Sequence, residues 1–541
     1  MQPFPVLTPP SRPTAAPRPT ARWRTRLAAA STAFALLVPA APLPVAAQVN
    51  LPALGDPTGE DFGLNVERRI GDRIMQEIRV DPDYLDDPVL LEYLQTIFQP
   101  LLAEARRRGN ITPDLNEHLA WEPFLVRDKE VNAFALPGGY MGVNLGLIAM
   151  TTTRDELASV LGHEMSHITQ RHIARMIANN KTVSLVGIAA MILGILAASR
   201  GGGADGAQAA IVGSQAAMVQ GQLNFSRDME READRVGFGV MTGAGFSPAG
   251  MANMFEKLDQ ASRLNDSGGF PYLRSHPLTS ERIGDARARI ATVPVPPPVS
   301  VLEHSLAQAR ARVLMDTRVD ALNRWQALDN DRVTTNSVDR IEGAYESALA
   351  STLLRDWARA DASLATLQEL VKAEAAKRPL PGIGRAERAA ALLKVQSMLA
   401  RGDAAKAASA LQPYIAEGGR PTMLLQAQIA LAAAGDEAAL KARSSDLQTW
   451  VAVHPNDSTA WLVLGQIWER LGQPLRAIRA EAESRIALGD LNGGLDRLRA
   501  GQRRTNAHAA ADFIEASVID SRLRTIEAQR RQQVADDKAD R

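Results

Sequence analysis

The run SVLGHEMSHITQRH, Ser159 to His172, carries three of the chain's eight histidines. His163, Glu164 and His167 spell H-E-x-x-H within it. On a helix of 3.6 residues per turn, side chains four apart point within about 40° of each other, so both imidazoles reach one ion. Glu164 is rotated about 100° from His163 and falls beside the position a water would take. A pair of histidines satisfied on a buried helix would show the same letters. What separates the two readings is a further ligand, because two histidines do not complete a catalytic metal site. The chain has no cysteine, so that ligand has to be a histidine or a carboxylate carried in from elsewhere by the fold.

The extended pattern H-E-x-x-H-x-x-G-x-x-H would need Gly at 170 and His at 173, but the chain has Gln170 and Ile173. His172 lies five residues past His167, about 140° around a continuous helix, and is expected to face elsewhere in a surface or supporting role. The run MEREADRVG offers a better source. Glu230 and Asp234 are four apart on one helical face, so Glu230 can ligate an ion while Asp234 bonds the outer ring nitrogen of a liganding histidine. Glu232, about 200° from Glu230, is expected to be solvated.

Four stretches together, VNAFALPGGYMGVNLGLI, RDELASVLGHEMSHITQRH, SRDMEREADRVG and SHPLTSER, resemble the M48 gluzincin metallopeptidases. The resemblance implies a gluzincin-type α+β domain with a small β-sheet. It also implies one zinc ion per chain, held by His163, His167 and Glu230, with Glu164 as general base. His276 and Arg282 of SHPLTSER match positions that lie near the metal in this family. Beyond a simple helix-start turn, two roles are open: stabilising the oxyanion of hydrolysis, or, for His276, filling the fourth zinc position at rest, which would make the enzyme latent. Substrate is expected to bind extended, adding a strand at Asn132, Ala133, Phe134 and Ala135; an ordinary buried strand is the alternative there.

At 541 residues the chain exceeds one ordinary hydrophobic core, so more than one domain is expected. Lys plus Arg and Asp plus Glu are both 61, which leaves no charge excess to recruit nucleic acid. Few aromatics and abundant alanine favour helices. Arg18, Arg22, Arg24 and Arg26, then the apolar run from Leu27 to Ala41, then Val45 and Ala47 before Gln48, read as a signal peptide over 1–47. The alternative is an uncleaved membrane anchor, but the run is short for a span and broken by Pro39 and Pro42; export is expected, to the periplasm if the source is a Gram-negative bacterium.

Residues 48–291 are assigned to the metallopeptidase domain, and TVPVPPPVS makes 292–300 a proline linker. The apolar run from Val183 to Ser199 admits three readings: a buried or lid-like hairpin, a membrane-touching surface, or a span. Residues 301–525 are alanine-rich with turn signals at Gly402-Asp403, Gly435-Asp436 and Gly472, spacings of 33 and 37 residues that approach a tetratricopeptide period. Within them Trp461, Leu464, Gly465, Trp468, Ala477 and Ser484 alternate large and small so that two helices can interlock. A frayed charged tail is expected over 526–541.

The fold expected is mainly α, with a helical tetratricopeptide-repeat solenoid after the peptidase domain. By resemblance, the substrates are unfolded or misassembled proteins, notably outer-membrane β-barrel proteins, and the barrel-assembly complex is the partner. The competing reading is a non-proteolytic chaperone or adaptor with a structural or latent zinc site.

Overall fold

A computed structural model describes residues 63–178, 226–264, 271–328, 336–433, 435–504 and 510–539. The proposed signal peptide and the apolar run 183–199 lie outside the described residues. Among those described, no helix is long and apolar enough to cross a membrane.

The chain is mainly helical with one small sheet, as expected. Leu64–Val80 (α1), Pro88–Arg107 (α2) and Pro113–His118 (α3) precede the sheet-forming strands Glu122–Val126 (β2), Ala133–Leu136 (β3) and Tyr140–Asn144 (β4), with Tyr84–Leu85 (β1) between α1 and α2. The strand order is β1-β2-β4-β3; β2 runs parallel to β4, and β3 antiparallel to it. The turn Pro137–Gly139 joins β3 to β4 with Gly138 and Gly139 both at positive φ, a conformation glycine adopts without Cβ strain. The strand, turn and strand read from Trp121 to Met150 are thus three strands, and the stretch closes with the short helix Leu145–Met150 (α4).

Arg154–Thr169 (α5) carries H-E-x-x-H. Thr153 caps it by accepting from the Glu156 amide at 3.2 Å, while Glu156 Oε2 accepts from the Thr152 amide at 2.7 Å and from Lys257 Nζ at 2.6 Å. This reciprocal bonding satisfies donors that a helix start leaves bare. From Glu156 to Thr169 every residue of α5 is buried, the mark of a helix surrounded by other elements. His172–Ala178 (α6), Arg227–Gly243 (α7), Ala249–Leu264 (α8), Pro271–Ser275 (α9) and Ser280–Ile290 (α10) follow.

Residues 294–300 run without regular structure, as the prolines require. Leu302–Met315 (α11) then packs into the same apolar core as α2 and α5, a cluster that extends from Leu85 to Leu393. Arg310 grips Asp87, the cap of α2, through two hydrogen bonds of 2.8 and 2.7 Å. The chain therefore crosses the proline segment without a break in packing.

His304 of α11 is buried in that junction, its Nε2 donating to the Thr151 carbonyl at 2.9 Å and its Nδ1 meeting the Tyr93 hydroxyl at 2.5 Å. Burial outweighs the Thr151 bond and pushes the ring down to about 4. In the unfolded chain it titrates near 6.5, so the unfolded state binds the extra proton between those values. Stability should fall as pH drops from about 6.5 towards 4, by about 3 kcal/mol from this group. Urea denaturation at pH 7.5, 5.5 and 4.5 should show that loss shrinking in His304→Gln; an equal loss in both proteins would assign it to other groups.

Beyond α11 consecutive helices turn at glycines with positive φ, including Gly402, Gly435 and Gly472. Ser458–Arg470 packs on Pro474–Ala487, and at Gly465 a Cβ would sit in ordinary contact, 3.4 Å from the Ala477 carbonyl and from Ala480 Cβ. The expected frayed tail is corrected: Ala510–Ala539 is one helix. Ile519, Leu523 and Ile526 form a buried apolar stripe against Leu475, Leu491 and Leu498. Gln533 donates to Gln76 of α1 at 2.9 Å. The apolar stripe overrides the charged composition of the last turns.

Candidate metal centre

Two glycines bring the site together. A Cβ on Gly237 of α7 would lie 2.9 Å from the Gly162 carbonyl of α5, closer than real Cβ atoms come. Bare backbone at Gly237 lets the helices cross at this distance, a Cβ on Gly162 would be tight at 3.3 Å from the Gly237 carbonyl, and His163 is the next residue along. Ser226 caps α7 by accepting from the Met229 amide at 3.2 Å, and Glu230 projects from the first turn.

His163 Nε2 and His167 Nε2 are 3.0 Å apart. Glu230 completes a triangle, with Oε2 3.5 Å from His163 Nε2 and Oε1 3.4 Å from His167 Nε2. His276, just past α9, brings Nδ1 to 3.3 Å from His163 Nε2 and 2.9 Å from Glu230 Oε1. These four residues each offer an atom within 4.8 Å of the other three, and all four are buried; among the described residues they form the one such group. Two donors bound to zinc at about 2.0–2.1 Å in tetrahedral geometry are about 3.3 Å apart. The observed separations of 2.9 to 3.5 Å lie near that length, with Glu230 offering one oxygen to His163 and the other to His167 and His276, so the donor set suits a zinc-sized ion.

The outer atoms are held as well. His163 Nδ1 lies 2.9 Å from Asp234 Oδ1. Arg282 of α10 donates from Nε and Nη2 to the two Asp234 oxygens at 2.7 and 2.8 Å, and its Nη1 reaches the Pro277 carbonyl at 2.8 Å and Glu230 Oε2 at 2.7 Å. Thr279 caps α10 at the Arg282 amide, which fixes where that guanidinium starts. Tyr272 stacks on His276 with ring centroids 4.7 Å apart.

Glu164 accepts from the Ala135 amide at 3.1 Å through Oε2, while Oε1 has no hydrogen-bond partner and stands 3.4 Å from His276 Nε2. Ala135 belongs to β3, the edge of the sheet. The Asn132 carbonyl bonds the Asn144 amide at 3.1 Å, and in an antiparallel ladder pairing alternates. The backbone groups of Ala133 and Ala135 therefore point away from β4, that of Ala135 to Glu164, whereas Asn132 and Phe134 pair inward; Ala133 and Ala135 are buried by their surroundings.

Charge follows the geometry. Burial by itself would lower His163, but the Glu230 carboxylate and the Asp234 bond outweigh it and raise the ring to about 10. Burial raises Glu164 above the usual carboxylate range. It would do the same to Glu230, but the charges of His276 and His163 pull Glu230 far below that range.

Two expected placements fail here. His172 does not face elsewhere: it is fully buried, with Nδ1 2.8 Å from His167 Nδ1, which leaves the supporting role of the two that were open and removes the surface one. Glu232 is not solvated but half-buried, 3.1 Å from His172 Nε2. The continuous-helix extrapolation broke at Arg171, which takes φ 52°. That strained backbone is held by a buried ion pair with Glu67 of α1 at 3.0 Å. The turn folds α6 back against α5. No local signal announces it, because arginine rarely adopts that conformation and its partner is about a hundred residues away.

The sequence pattern of peptidase family M48 matches residues 92–290, a span that contains the whole cluster. The chain is 32% identical over 344 residues to the putative beta-barrel assembly-enhancing protease of Vibrio cholerae, covering 62% of this chain and 67% of that protein. It is 32% identical over 242 residues to the beta-barrel assembly-enhancing protease of Escherichia coli, 44% of this chain and 47% of that one, so the match spans about half of that relative. It is also 32% identical over 197 residues to the metalloprotease LoiP of Escherichia coli, 35% of this chain and 71% of that one. With its H-E-x-x-H helix crossed by a carboxylate-bearing helix inside the matched span, the chain belongs to peptidase family M48.

Proposed function

We propose that the chain is an exported, periplasmic zinc endopeptidase that hydrolyses unfolded or misassembled proteins, outer-membrane β-barrel proteins among them. The observation that carries this reading is the convergence of His163, His167, Glu230 and His276 on one point with Glu164 beside them. His163, His167 and Glu230 would hold the zinc. Bound there, zinc supplies Lewis acidity and brings a water's pKa to around 7. Glu164 takes the proton from the attacking water and hands it to the departing amine. The edge of β3 at Ala133 and Ala135 receives the substrate as an added strand, which presents a peptide bond without demanding a sequence. Folded proteins have no free strand to offer, so selection is by unfoldedness.

Arg282 is committed to Asp234, Glu230 and the Pro277 carbonyl, so we assign it to holding the carboxylates rather than the oxyanion. We read residues 301–525 as the tetratricopeptide-type surface that engages clients or the barrel-assembly complex, following the relatives named for barrel assembly. The experiment is direct: the zinc-loaded protein should cleave an unfolded β-barrel protein and spare the folded one, and chelation should abolish the cleavage. Cleavage that survives complete zinc removal would overturn the reading.

One observation favours a second reading. Four protein groups surround the point, and a structural zinc site closes with four protein ligands. A structural site has no use for a buried Glu164 oxygen lacking a hydrogen-bond partner, which is why we read His276 as a resting fourth ligand of a latent peptidase. His276→Ala should then raise basal cleavage severalfold with zinc retained, measured on the same unfolded substrate. A fall in kcat instead would make His276 an oxyanion donor.

A further inference from the structure

Three carboxylates stand on α7 in the run EREAD, and Glu230 and Asp234 already have evident tasks. Glu232 points to the other side, where His172 lies between it and His167. The distances form a chain: Arg175 Nη2 to Glu232 Oε2 at 3.0 Å, Glu232 Oε2 to His172 Nε2 at 3.1 Å, and His172 Nδ1 to His167 Nδ1 at 2.8 Å. The rings of His172 and His167 meet edge to face, 4.8 Å between centroids. His172 is 0% exposed.

Donor and acceptor counting settles the protons along this chain. An ionised carboxylate only accepts, so His172 Nε2 carries the hydrogen. The neutral ring's Nδ1 is then an acceptor, and the hydrogen between the two rings belongs to His167 Nδ1. His167 Nε2 is left with its lone pair on the side that faces His163 Nε2 and Glu230. His163 reaches the same tautomer by a shorter route, through Asp234 alone.

We propose that Glu232 and His172 are positioning residues of the metal centre, a two-step relay that orients His167 and fixes its tautomer for binding the ion. This rests on the reading that the cluster holds zinc. One helix then supplies every carboxylate that holds the ion or orients its histidines: Glu230 to the ion, Asp234 to the first histidine, and Glu232 through His172 to the second. Arg175 holds Glu232 in place from α6. Neither Glu232 nor His172 touches substrate.

The test uses the full-length protein, with zinc affinity measured by competition against a chromophoric chelator and the visible spectrum recorded after cobalt substitution. Glu232→Ala should weaken zinc binding about ten- to hundredfold, the usual cost of losing a partner of a ligating histidine, and shift the cobalt bands. Glu232→Gln keeps an acceptor oxygen for His172 Nε2 and should restore both. His172→Phe fills the ring's volume without the relay and should match Glu232→Ala. Because Glu232 is half-exposed, its replacement tests the idea even if His172→Phe fails to fold. Wild-type zinc affinity and cobalt bands in Glu232→Ala would overturn the inference, and so would a loss that Glu232→Gln does not recover. His163→Ala separates the two layers: if it loses zinc while Glu232→Ala does not, the relay alone is wrong, and if it too keeps wild-type affinity, the metal centre itself is misassigned.

Discussion

Replacing Glu164 by glutamine should lower the rate of cleavage of an unfolded polypeptide about 10²- to 10⁴-fold, the range for a positioned general base, and leave zinc content unchanged. Glutamine preserves the shape and the acceptor for the Ala135 amide, which Glu164 Oε2 bonds at 3.1 Å. It cannot take a proton. Glu164 is not one of the four atoms that converge on the candidate metal position, so its loss should not release the ion. Burial raises its pKa, which makes it a stronger base than an exposed glutamate. The measurement is kcat on an unfolded substrate with metal analysis of the same sample. Wild-type cleavage by Glu164→Gln would place the base elsewhere, and parallel loss of zinc would make Glu164 part of the ion's support.

The second large effect concerns stability. Arg282→Met should destabilise the metal-free protein by about 3–5 kcal/mol, the cost of breaking a buried ion pair from one side. The guanidinium is only 5% exposed and holds both oxygens of Asp234 and one of Glu230. Burial would raise Asp234, but the Arg282 bonds outweigh it and hold the carboxyl below its usual value. A carboxylate depressed in the folded state contributes stability above its unfolded pKa and loses it as pH falls through the folded one. Removing Arg282 removes that contribution, so the gap between wild type and variant should narrow on acidification. Denaturant midpoints at pH 7.5 and pH 4 test both the size and the direction. Arg282→Lys should recover only part, because an ammonium cannot form the fork. A variant as stable as wild type at pH 7.5 would mean the two carboxylates find other partners.

The local parts of the site were legible because their spacing matches a helix. His163, Glu164 and His167 follow the 3.6 period on α5, and Glu230 with Asp234 follow it on α7. Two glycines, Gly162 and Gly237, lie where those helices cross, but nothing along the chain says that they meet. The strand β3 was readable from the sequence, and its edge position was expected by analogy with strand addition, against an ordinary buried strand. That it is an edge, with Ala135 turned to Glu164, depends on β4 pairing with β2 on its other side.

His172 and Glu232 were misplaced through one tertiary event. His172 was placed by extending a straight helix past Arg171, where the chain bends because a glutamate of α1 holds it, and Glu232, which does lie round α7 from Glu230, is covered there by His172 and Arg175 of the turned helix. The charged C-terminal run was misjudged for another: an apolar stripe further back, Ile519 to Ile526, anchors the helix that carries it.

The amino-acid sequence by itself determined the chemistry available: imidazoles and carboxylates without thiols, at helical spacing, in the pattern of one peptidase family. Only the tertiary structure decided which of those groups meet, that Arg282 is committed to carboxylates, that His276 joins His163, His167 and Glu230 in one cluster, and that a second histidine stands behind the first. Spacing along a helix is a local property set by backbone geometry. The meeting of groups tens or hundreds of residues apart is set by close packing and by buried ion pairs, which no local stretch contains.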